Sequence, residues 1–331
     1  DAFVDDTPID STDIIGNQTP FYADMSLKDT YMSVAVGATI CIIPQKYFMT
    51  PKKLLTYLDE NKVTMIMWVP TAYRLISQFD GLSKVRPSSL YKFVFSGEAM
   101  PIAVFNYWTS FYHIAECEYI QLYGPTEITG ACTSYHIAEE YEDGDTIPIG
   151  KPFRNTGILL IDENGQIITD TDISGEICVY GTCLAAGYYN NEEKTSDSFV
   201  QNPTVKGYSS LMYKTGDLAK YDKNGNLVFI SRKDYQIKHG GKRIELGEIE
   251  AAATCIDGVK GCCCIHDRKK DALVLFYVGD ISEKVIKEML TNKLPKYMIP
   301  TEYTVMEQLP MLQNGKLDRK SLDNIVNEKR A

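Results

Sequence analysis

The sequence predicts an α/β fold in which a parallel-rich sheet with helices precedes an antiparallel, β-barrel-like subdomain and a small α+β domain. Three features predict it: apolar runs alternate with helix-like stretches, Asn-Gly turns separate short strands, and amphipathic helices return near the C-terminus. The expected boundaries are 1–147, 148–233 and 234–331. At 331 residues, with 44% hydrophobic and 24% charged, the chain is long enough for two cores.

In the first part, the apolar runs "ATICIIP" (38–44) and "VTMIMWVP" (63–70) flank the helix-like stretch "TPKKLLTYLDEN" (50–61). Continuous apolar runs are typical of strands that are buried on both faces, as in parallel sheets covered by helices. We therefore expect a mostly parallel sheet here.

From about Ile149 the pattern changes to short runs separated by "DENGQII" (162–168) and "DKNGNLVFI" (222–230). Asn-Gly supplies the positive φ that a tight hairpin requires, which indicates antiparallel strands. After Asp234, the helical patterns "ELGEIEAAATCI" and "SEKVIKEMLTNKL" flank the apolar strands "CCCIH" and "ALVLFYV". This arrangement predicts the small α+β domain.

The net charge of -10 argues against nucleic acid or an anionic membrane surface as the partner, because a polyanion would be repelled. No apolar run approaches the roughly 20 residues that span a bilayer, and no basic and apolar leader opens the chain. We therefore expect a cytoplasmic protein without membrane insertion, and small ligands remain open as partners.

Nine cysteines are present, and none forms a C-x-x-C pair. The run Cys262 to Cys264 lies in a short predicted strand, where adjacent side chains face opposite sides and cannot converge on one metal. We expect buried, reduced thiols rather than a metal or redox site. The four histidines match no catalytic triad and receive no role: His113, His136, His239 and His266.

Six segments, all but "LPKYMIP" containing glycine, follow one another along the chain: "QLYGPTEITG" (121–130), "GEICVYGTCLAAGYYN" (175–190), "YKTGDL" (213–218), "SRKDYQIKHGGKRIELGEIE" (231–250), "LPKYMIP" (294–300) and "NGKLDR" (314–319). Each alone is also compatible with a solvated turn, and Thr126 alone with a helix cap. Together they resemble the adenylate-forming (AMP-binding) enzymes. The resemblance is to the amino-acid-activating branch, nonribosomal peptide synthetase adenylation domains and D-alanine:carrier protein ligases, from about Asp13 to Leu322.

The resemblance implies that the chain holds the later part of the large N-terminal domain, followed by a small mobile C-terminal domain. Family members carry a phosphate loop, rich in Ser, Thr and Gly, upstream of the matched region, and nothing in this sequence matches it. We therefore expect residues 1–331 alone to be inactive.

By resemblance, one group of residues binds ATP and Mg²⁺. Tyr123, followed by Gly124, stacks on adenine, Thr126 contacts the α-phosphate region, and Glu127 holds Mg²⁺. Asp217 accepts hydrogen bonds from the ribose hydroxyls, and Arg232 contacts the ribose and phosphate. The residue types suit these ligands, because an aromatic face fits a purine and a hard carboxylate fits a hard cation.

The remaining motifs imply a lysine and a hinge. Lys316 in "NGKLDR" matches the lysine that bridges the substrate carboxylate and the α-phosphate. Asp234 matches the hinge of the small domain, and the Gly240-Gly241 loop matches the segment that enters the site for thioester formation. "SRKD" departs from the usual Gly-Arg-x-Asp by Ser231, which leaves only local backbone geometry open.

The substrate class is implied by "YADMSLKD" (22–29). Asp24 matches the aspartate that pairs with the substrate's α-ammonium group, although Ala23 replaces the usual Phe. We expect its carboxylate to be buried and balanced by the substrate. For Lys28, an acidic substrate side chain and solvent are both open, and solvent is expected. The resemblance places these residues in the pocket: Met25, Lys28, Met67, Val94, Ser96, Leu122, Gly130 and Ala131.

The function implied is a ligase that activates an amino acid with ATP as aminoacyl-AMP and transfers it to the phosphopantetheine thiol of a partner carrier protein. Two alternatives remain: an acyl-CoA or fatty-acid ligase of the same superfamily, and a non-catalytic nucleotide-binding relative. The identity of the activated amino acid cannot be read from the sequence.

Overall fold

The computed structural model describes residues 2–142, 145–171, 173–233, 236–239, 242–311 and 317–327. The chain divides into two compact units, Asp1–Lys233 and Asp234–Ala331. The first unit contains a parallel-rich sheet with helices and an antiparallel sheet, and the second is a small α+β unit. This is the α/β architecture that the sequence predicts.

The first sheet has seven strands, and five of them are parallel. Its strands are β1 (Ile14–Asn17), β2 (Thr39–Ile42), β3 (Met65–Trp68), β4 (Lys92–Ser96), β5 (Glu118–Tyr123), β6 (Thr133–His136) and β7 (Lys151–Pro152). The order is β2-β1-β3-β4-β5-β6-β7, with β2 to β5 parallel and the last two pairs antiparallel. Successive parallel strands place their carboxyl ends at one edge, where ligands bind in open α/β sheets.

Five helices accompany this sheet: α1 (Ala2–Asp6), α2 (Met25–Val36), α3 (Pro51–Glu60), α4 (Pro70–Gln78) and α5 (Ile102–Phe111). Helices α3 and α4 each begin at a proline, whose fixed φ suits the first helical turn. The run "VTMIMWVP" forms β3, which is buried throughout as predicted. The run "ATICIIP" forms β2, but it lies at the sheet edge with Ile42 59% exposed, so the prediction of a buried strand is wrong there.

The second sheet of this unit is antiparallel and has six strands. They are β8 (Thr156–Ile161), β9 (Ile167–Ile168), β10 (Gly175–Gly181), β11 (Phe199–Gln201), β12 (Leu211–Tyr221) and β13 (Leu227–Arg232), with α6 (Glu192–Ser198) before β11. The order is β11-β12-β10-β8-β9, and β13 pairs with β12. This sheet corresponds to the predicted barrel-like subdomain.

Both Asn-Gly pairs lie in hairpin turns of this sheet, as predicted. Only the glycines have positive φ, 79° at Gly165 and 74° at Gly225. In each turn the aspartate at the start accepts hydrogen bonds from two backbone N–H groups: Asp162 from residues 164 and 166, and Asp222 from residues 224 and 226. The aspartate and the glycine together therefore fix each turn.

The second unit contains β14 (Gln236–His239), β15 (Lys242–Glu245), α7 (Leu246–Thr254), β16 (Val259–Asp267), β17 (Ala272–Gly279), α8 (Glu283–Lys293), β18 (Glu302–Val305) and α9 (Arg319–Asn327). Strands β14 and β15 form a hairpin, and β16-β17-β18 form a second sheet. Helices α7 and α8 bury their apolar residues with one face of that sheet, while α9 covers the other face.

The cysteine run lies in β16, and its side chains alternate between faces as predicted. Cys262 and Cys264 pack with the α7–α8 cluster, and Cys263 packs with α9. Burial raises the pKa of the Cys263 thiol to about 12, so it stays protonated and unreactive at neutral pH. All nine cysteines are free thiols, but Cys255 is exposed, so the prediction of burial is wrong for that residue.

Helix α2 is fixed to β1 by a buried polar pair that the sequence analysis did not identify. The Nδ2 atom of Asn17 donates to Oδ2 of Asp29 at 2.7 Å, and Oδ1 of Asp29 has no hydrogen-bond partner among the described residues. Burial raises the pKa of Asp29 to about 7, while Asn17 and Lys28 act in the opposite direction. This helix carries Asp24 and Lys28.

The shifted pKa of Asp29 predicts a pH-dependent stability. The folded state binds the proton of the Asp29 carboxyl more tightly than the unfolded state does. The resulting contribution to stability is therefore full below about pH 4 and is lost as the pH rises through about 7. The difference in free energy of unfolding between an Asp29→Asn variant and the parent should therefore shift by about 2 kcal/mol in favour of the variant when the pH is raised from about 5 to about 8.

Denaturant unfolding at the two pH values measures this difference, and Asp59→Asn is the matched control. Hydrogen bonds from Ser88 lower the pKa of Asp59, so its contribution is lost only at more acidic pH and should stay constant over this range. A difference for Asp29→Asn that does not change with pH would show that the Asp29 carboxyl is ionised in the folded protein.

Among the described residues, no helix is long and apolar enough to cross a bilayer.

Candidate active site

The Gly-Pro segment after β5 forms a tight loop because of its glycine. A Cβ atom on Gly124 would lie 2.6 Å from the Cα atom of Ala131, so only glycine fits without a backbone shift. The loop continues as a short 3-10 turn, Thr126–Ile128, and returns through Thr129 with φ of 63°. Thr126 is exposed and is the first residue of this turn, and Pro125 stands at the cap position, so Thr126 does not act as a helix cap.

Glu127 is the buried carboxylate of this loop. Its Oε1 atom accepts a hydrogen bond from the Tyr188 hydroxyl at 2.7 Å, and its backbone carbonyl accepts one from the Ala185 N–H at 2.8 Å. The hydroxyl of Tyr188 also lies 3.2 Å from that of Tyr213 on β12. The carboxylate is therefore fixed by residues of the "AAGYYN" segment and β12, a role that the sequence analysis missed.

Tyr123, Asp217 and Arg232 form one hydrogen-bonded group. The Tyr123 hydroxyl donates to Oδ2 of Asp217 at 2.5 Å, and Nη1 of Arg232 lies 2.6 Å from Oδ1. Asp217 and Arg232 are direct cross-strand partners on β12 and β13, so the register of this hairpin brings them together. The structure thus connects three residues that the sequence analysis had assigned to one nucleotide.

In this group Tyr123 is the hydrogen-bond donor and Asp217 the acceptor, as the predicted contact of Asp217 with ribose requires. Burial raises the pKa of Tyr123 far above its ordinary value, and the Asp217 charge raises it further, so its O–H stays a donor. A carboxylate has about four acceptor positions, and the contacts to Tyr123 and Arg232 occupy two of them. Asp217 therefore retains the capacity to accept from two ribose hydroxyls.

The ring of Tyr123 is only 7% exposed and packs in the apolar cluster that contains Ile128 and Cys132. Its stacking on adenine remains a prediction. The contact of its hydroxyl with Asp217 is an additional role that the sequence did not indicate, because the two residues lie 94 positions apart.

Four predicted pocket residues share one buried apolar cluster with Met32, Ile120 and Phe153: Met67, Val94, Leu122 and Ala131. Three of them lie on the adjacent parallel strands β3, β4 and β5, which explains why distant segments meet. Ser96, at the end of β4, is also fully buried. The structure therefore brings together residues that the resemblance assigns to a single pocket.

Lys28 is buried, so the prediction that it points to solvent is wrong. Its residue exposure is 6%, and its Nζ atom lies 3.1 Å from Sδ of Met25 and 3.5 Å from Oγ of Ser96. A Cβ atom on Gly130 would lie 3.2 Å from Cε of Lys28. The lysine follows the inner face of α2 and joins three of the other predicted pocket residues.

Asp24 is half-buried, so the expectation that its carboxylate is buried is wrong. It stands at the N-terminus of α2, and its Oδ1 atom accepts from the Met25 N–H at 2.8 Å. The helix dipole favours a negative charge at this end, so the carboxylate is stabilised before any substrate binds.

Four residues with predicted roles lie outside the described residues: Lys316, Asp234, Gly240 and Gly241.

Ser231, which replaces the usual glycine before Arg232, does not interrupt its strand. Ser231 on β13 pairs with Leu218 on β12, so β13 continues to Arg232 with serine in place of glycine.

The donor set fits Mg²⁺ bound together with phosphates. Magnesium takes hard oxygen ligands and is usually held by one or two carboxylates, substrate phosphates and water. Glu127 supplies one such carboxylate, positioned by Tyr188, beside the loop that also presents Thr126. Magnesium would supply charge neutralisation at the phosphates, and Glu127 is the residue of this loop that would hold it.

The family model of the AMP-binding enzymes matches residues 2–189, and that of the AMP-binding enzyme C-terminal domain matches residues 248–316. The fold and this site therefore define an AMP-binding enzyme. The chain belongs to the AMP-binding enzyme family.

Within this family the chain is similar to two curated synthases. It is 34% identical over 319 residues to bacitracin synthase 1 of Bacillus licheniformis, covering 95% of this chain and 6% of that protein. It is 32% identical over 330 residues to zwittermicin A synthase ZmaJ of Bacillus cereus, covering 97% and 62%. The chain thus spans less than two thirds of these curated relatives.

Among solved structures, holo-PA1221 is described as "an NRPS protein containing adenylation and PCP domains bound to vinylsulfonamide inhibitor". It aligns with a TM-score of 0.79 and 27% identity, over 95% of this chain and 53% of that one. The adenylation domain AlmE of Vibrio cholerae aligns with a TM-score of 0.85 and 24% identity, over 98% and 60%. The second likeness shows the fold alone.

Proposed function

We propose that this chain activates an amino acid with ATP, as aminoacyl-AMP, and passes the aminoacyl group to a carrier-protein phosphopantetheine thiol. The observation that carries the proposal is the group formed by Tyr123, Asp217 and Arg232, which offers an acceptor for ribose beside the loop of Glu127. The relatives support the second step, since PA1221 combines adenylation and PCP domains.

The reaction needs no general base in its first step. The amino-acid carboxylate is ionised at neutral pH, so its oxygen can attack the α-phosphorus directly while the bond to the β-phosphate breaks and pyrophosphate leaves. The barrier is repulsion between anions, and positive charge near the reacting oxygens lowers it. Arg232 supplies one such charge, and Lys316 is proposed to supply a second.

In the second step, the thiol sulfur attacks the acyl carbon, the bond to AMP breaks, and the thiol proton passes to solvent. Residues Lys233 and Asp234 join the two compact units, and we propose that the hinge at Asp234 turns the second unit between the steps. The proposed partner in this step is the carrier protein that bears the phosphopantetheine thiol.

ATP–pyrophosphate exchange with the full-length protein tests the proposal. A panel of amino acids, fatty acids and aryl acids is offered one at a time, and exchange should appear with an amino acid. Exchange only with fatty or aryl acids would contradict the proposal of an amino-acid substrate. Silence with every acid, together with measurable ATP binding, would favour a non-catalytic relative.

The buried Lys28 predicts which amino acids are rejected. An ammonium group in the pocket repels a cationic substrate side chain and attracts an anionic one, and charges act strongly where water is excluded. We therefore expect exchange with glutamate or aspartate to exceed exchange with ornithine or lysine at least tenfold.

Lys28→Met should reduce this preference, since methionine has a similar length without the charge. Lys52→Met, an exposed position on α3, is the matched control and should leave the preference unchanged. Exchange that is highest with ornithine or lysine in the parent protein would overturn the role of Lys28 without touching the proposed reaction class.

A further inference from the structure

Three side chains from three segments of the second unit converge on one point. Nδ1 of His239 at the end of β14 lies 3.0 Å from Oδ1 of Asp271, and Nε2 of His266 on β16 lies 2.9 Å from the same oxygen. The two rings are 6.0 Å apart and nearly perpendicular, at 82°. Neither histidine had a role in the sequence analysis.

The turn between β16 and β17 directs Asp271 toward the histidines. The buried carboxylate of Asp267 accepts hydrogen bonds from the N–H groups of Lys269 and Lys270, both at 3.0 Å. Asp271 then has φ of 51°, a conformation that aspartate tolerates better than most residues. The turn therefore fixes the backbone position of Asp271.

Two basic side chains of the same turn have acidic partners of their own. Nη2 of Arg268 lies 2.5 Å from Oδ2 of Asp323 on α9, and Lys270 pairs with Glu302 on β18. These charges are therefore balanced within the unit. The repulsion that they would exert on a cation bound by Asp271 is correspondingly reduced.

The donor atoms lie at distances that suit a first-row metal ion. Ligands about 2.0–2.1 Å from a tetrahedral zinc ion are about 3.3–3.5 Å from one another, and the donor atoms here all lie within 4.8 Å. Among the described residues, only these three form a group of metal-binding type. The side chains are 17% to 25% exposed, so a water molecule can reach a fourth position.

We propose that His239, His266 and Asp271 form a binding site for a divalent transition metal, with Zn²⁺ as the ion that fits best. Two imidazole nitrogens are borderline ligands, and together with one hard carboxylate oxygen they favour zinc over magnesium. Each histidine would bind the ion as a neutral imidazole, through an unprotonated nitrogen with its one proton on the other ring nitrogen, and any second imidazole proton would pass to solvent. The open position makes the site a three-ligand centre with water.

The ion would connect the β14–β15 hairpin to the β16–β17 turn. His239 is the last residue of β14, directly before the Gly240-Gly241 pair in the sequence, and it pairs with Lys242 on β15. A bound metal would therefore hold the end of this hairpin against the sheet of the second unit.

Equilibrium dialysis of the full-length protein against Zn²⁺, in excess Mg²⁺, counts the bound zinc. His239→Gln, His266→Gln and Asp271→Asn should each lose one equivalent relative to the parent, or bind it at least tenfold more weakly. His113→Gln is the matched control, because His113 is exposed and lies outside the cluster. Zinc should also raise the unfolding temperature of the second unit in the parent and the control, but not in the three variants.

Circular dichroism checks that each variant is folded, and three independent substitutions keep the test open if one is not. Equal zinc stoichiometry and affinity in the parent and in the folded variants would overturn the proposal. A parent protein that binds no zinc would overturn it as well.

Discussion

Replacing Asp217 with asparagine in the full-length protein is expected to lower kcat/KM for ATP about 100-fold. The carboxylate holds Arg232 at 2.6 Å and Tyr123 at 2.5 Å and is 7% exposed at its side chain, so its charge acts in a nearly water-free setting. A hydrogen bond to a charged group contributes about 1.5–3 kcal/mol, and the proposed ribose contact involves two.

The ribose assignment can be separated from a general loss of structure by changing the nucleotide. The parent should prefer ATP to 2′-deoxy-ATP, because the missing hydroxyl leaves one acceptor position of Asp217 unused. In Asp217→Asn this preference should fall toward one, since the charge that strengthened the contact is gone. Steady-state exchange with both nucleotides measures the ratio.

Asp222→Asn is the matched control for this variant. It lies at the end of the same hairpin, and an asparagine Oδ1 can still accept from the N–H groups of residues 224 and 226. It should leave both activity and nucleotide preference unchanged. A preference for ATP that persists in Asp217→Asn would place the ribose elsewhere.

The elements that the sequence predicted are those whose signal is local. The run that forms β3 is apolar at every position, and the Asn-Gly pairs specify turns within a few residues. The cysteine run alternates between faces because strand geometry alone requires it. Such features need no knowledge of which segments pair, so a single sequence suffices.

The errors and omissions depend on contacts between distant segments. Ile42 is exposed because β2 lies at the sheet edge, and strand order is not encoded in the run itself. Lys28 is buried because the end of β4 and Gly130 approach α2, 68 or more positions away. Tyr188, whose hydroxyl holds Glu127, lies 61 positions away in the sequence. The aromatic pair in "AAGYYN" was the only local indication of this contact.

The histidine cluster illustrates the same limit at shorter range. His266 and Asp271 are five residues apart and face each other across a turn, which a strand prediction could have suggested. His239 joins them only because β14 ends beside that turn, and no spacing in the sequence indicates it. Metal motifs are recognised from regular spacing, and this cluster has none.

Glu127→Gln is expected to reduce kcat for pyrophosphate exchange about 100-fold to 1000-fold, the range for removal of one key electrostatic group. Glutamine keeps the shape and can still accept the Tyr188 hydrogen bond at 2.7 Å, so the loop should remain in place. The negative charge is lost, and a neutral amide oxygen binds Mg²⁺ more weakly than a carboxylate. The Mg²⁺ concentration for half-maximal exchange should therefore rise.

Two further variants identify the cause of that loss. Glu139→Gln removes another carboxylate that accepts from a tyrosine hydroxyl, that of Tyr135 at 3.0 Å, but Glu139 is exposed and has no predicted role in the site, so activity should be unchanged. Tyr188→Phe leaves the Glu127 charge and removes only its positioning contact, so the loss should be smaller. A Glu127→Gln variant with an unaltered Mg²⁺ requirement would show that the metal is held by other groups and that Glu127 acts only through the loop structure.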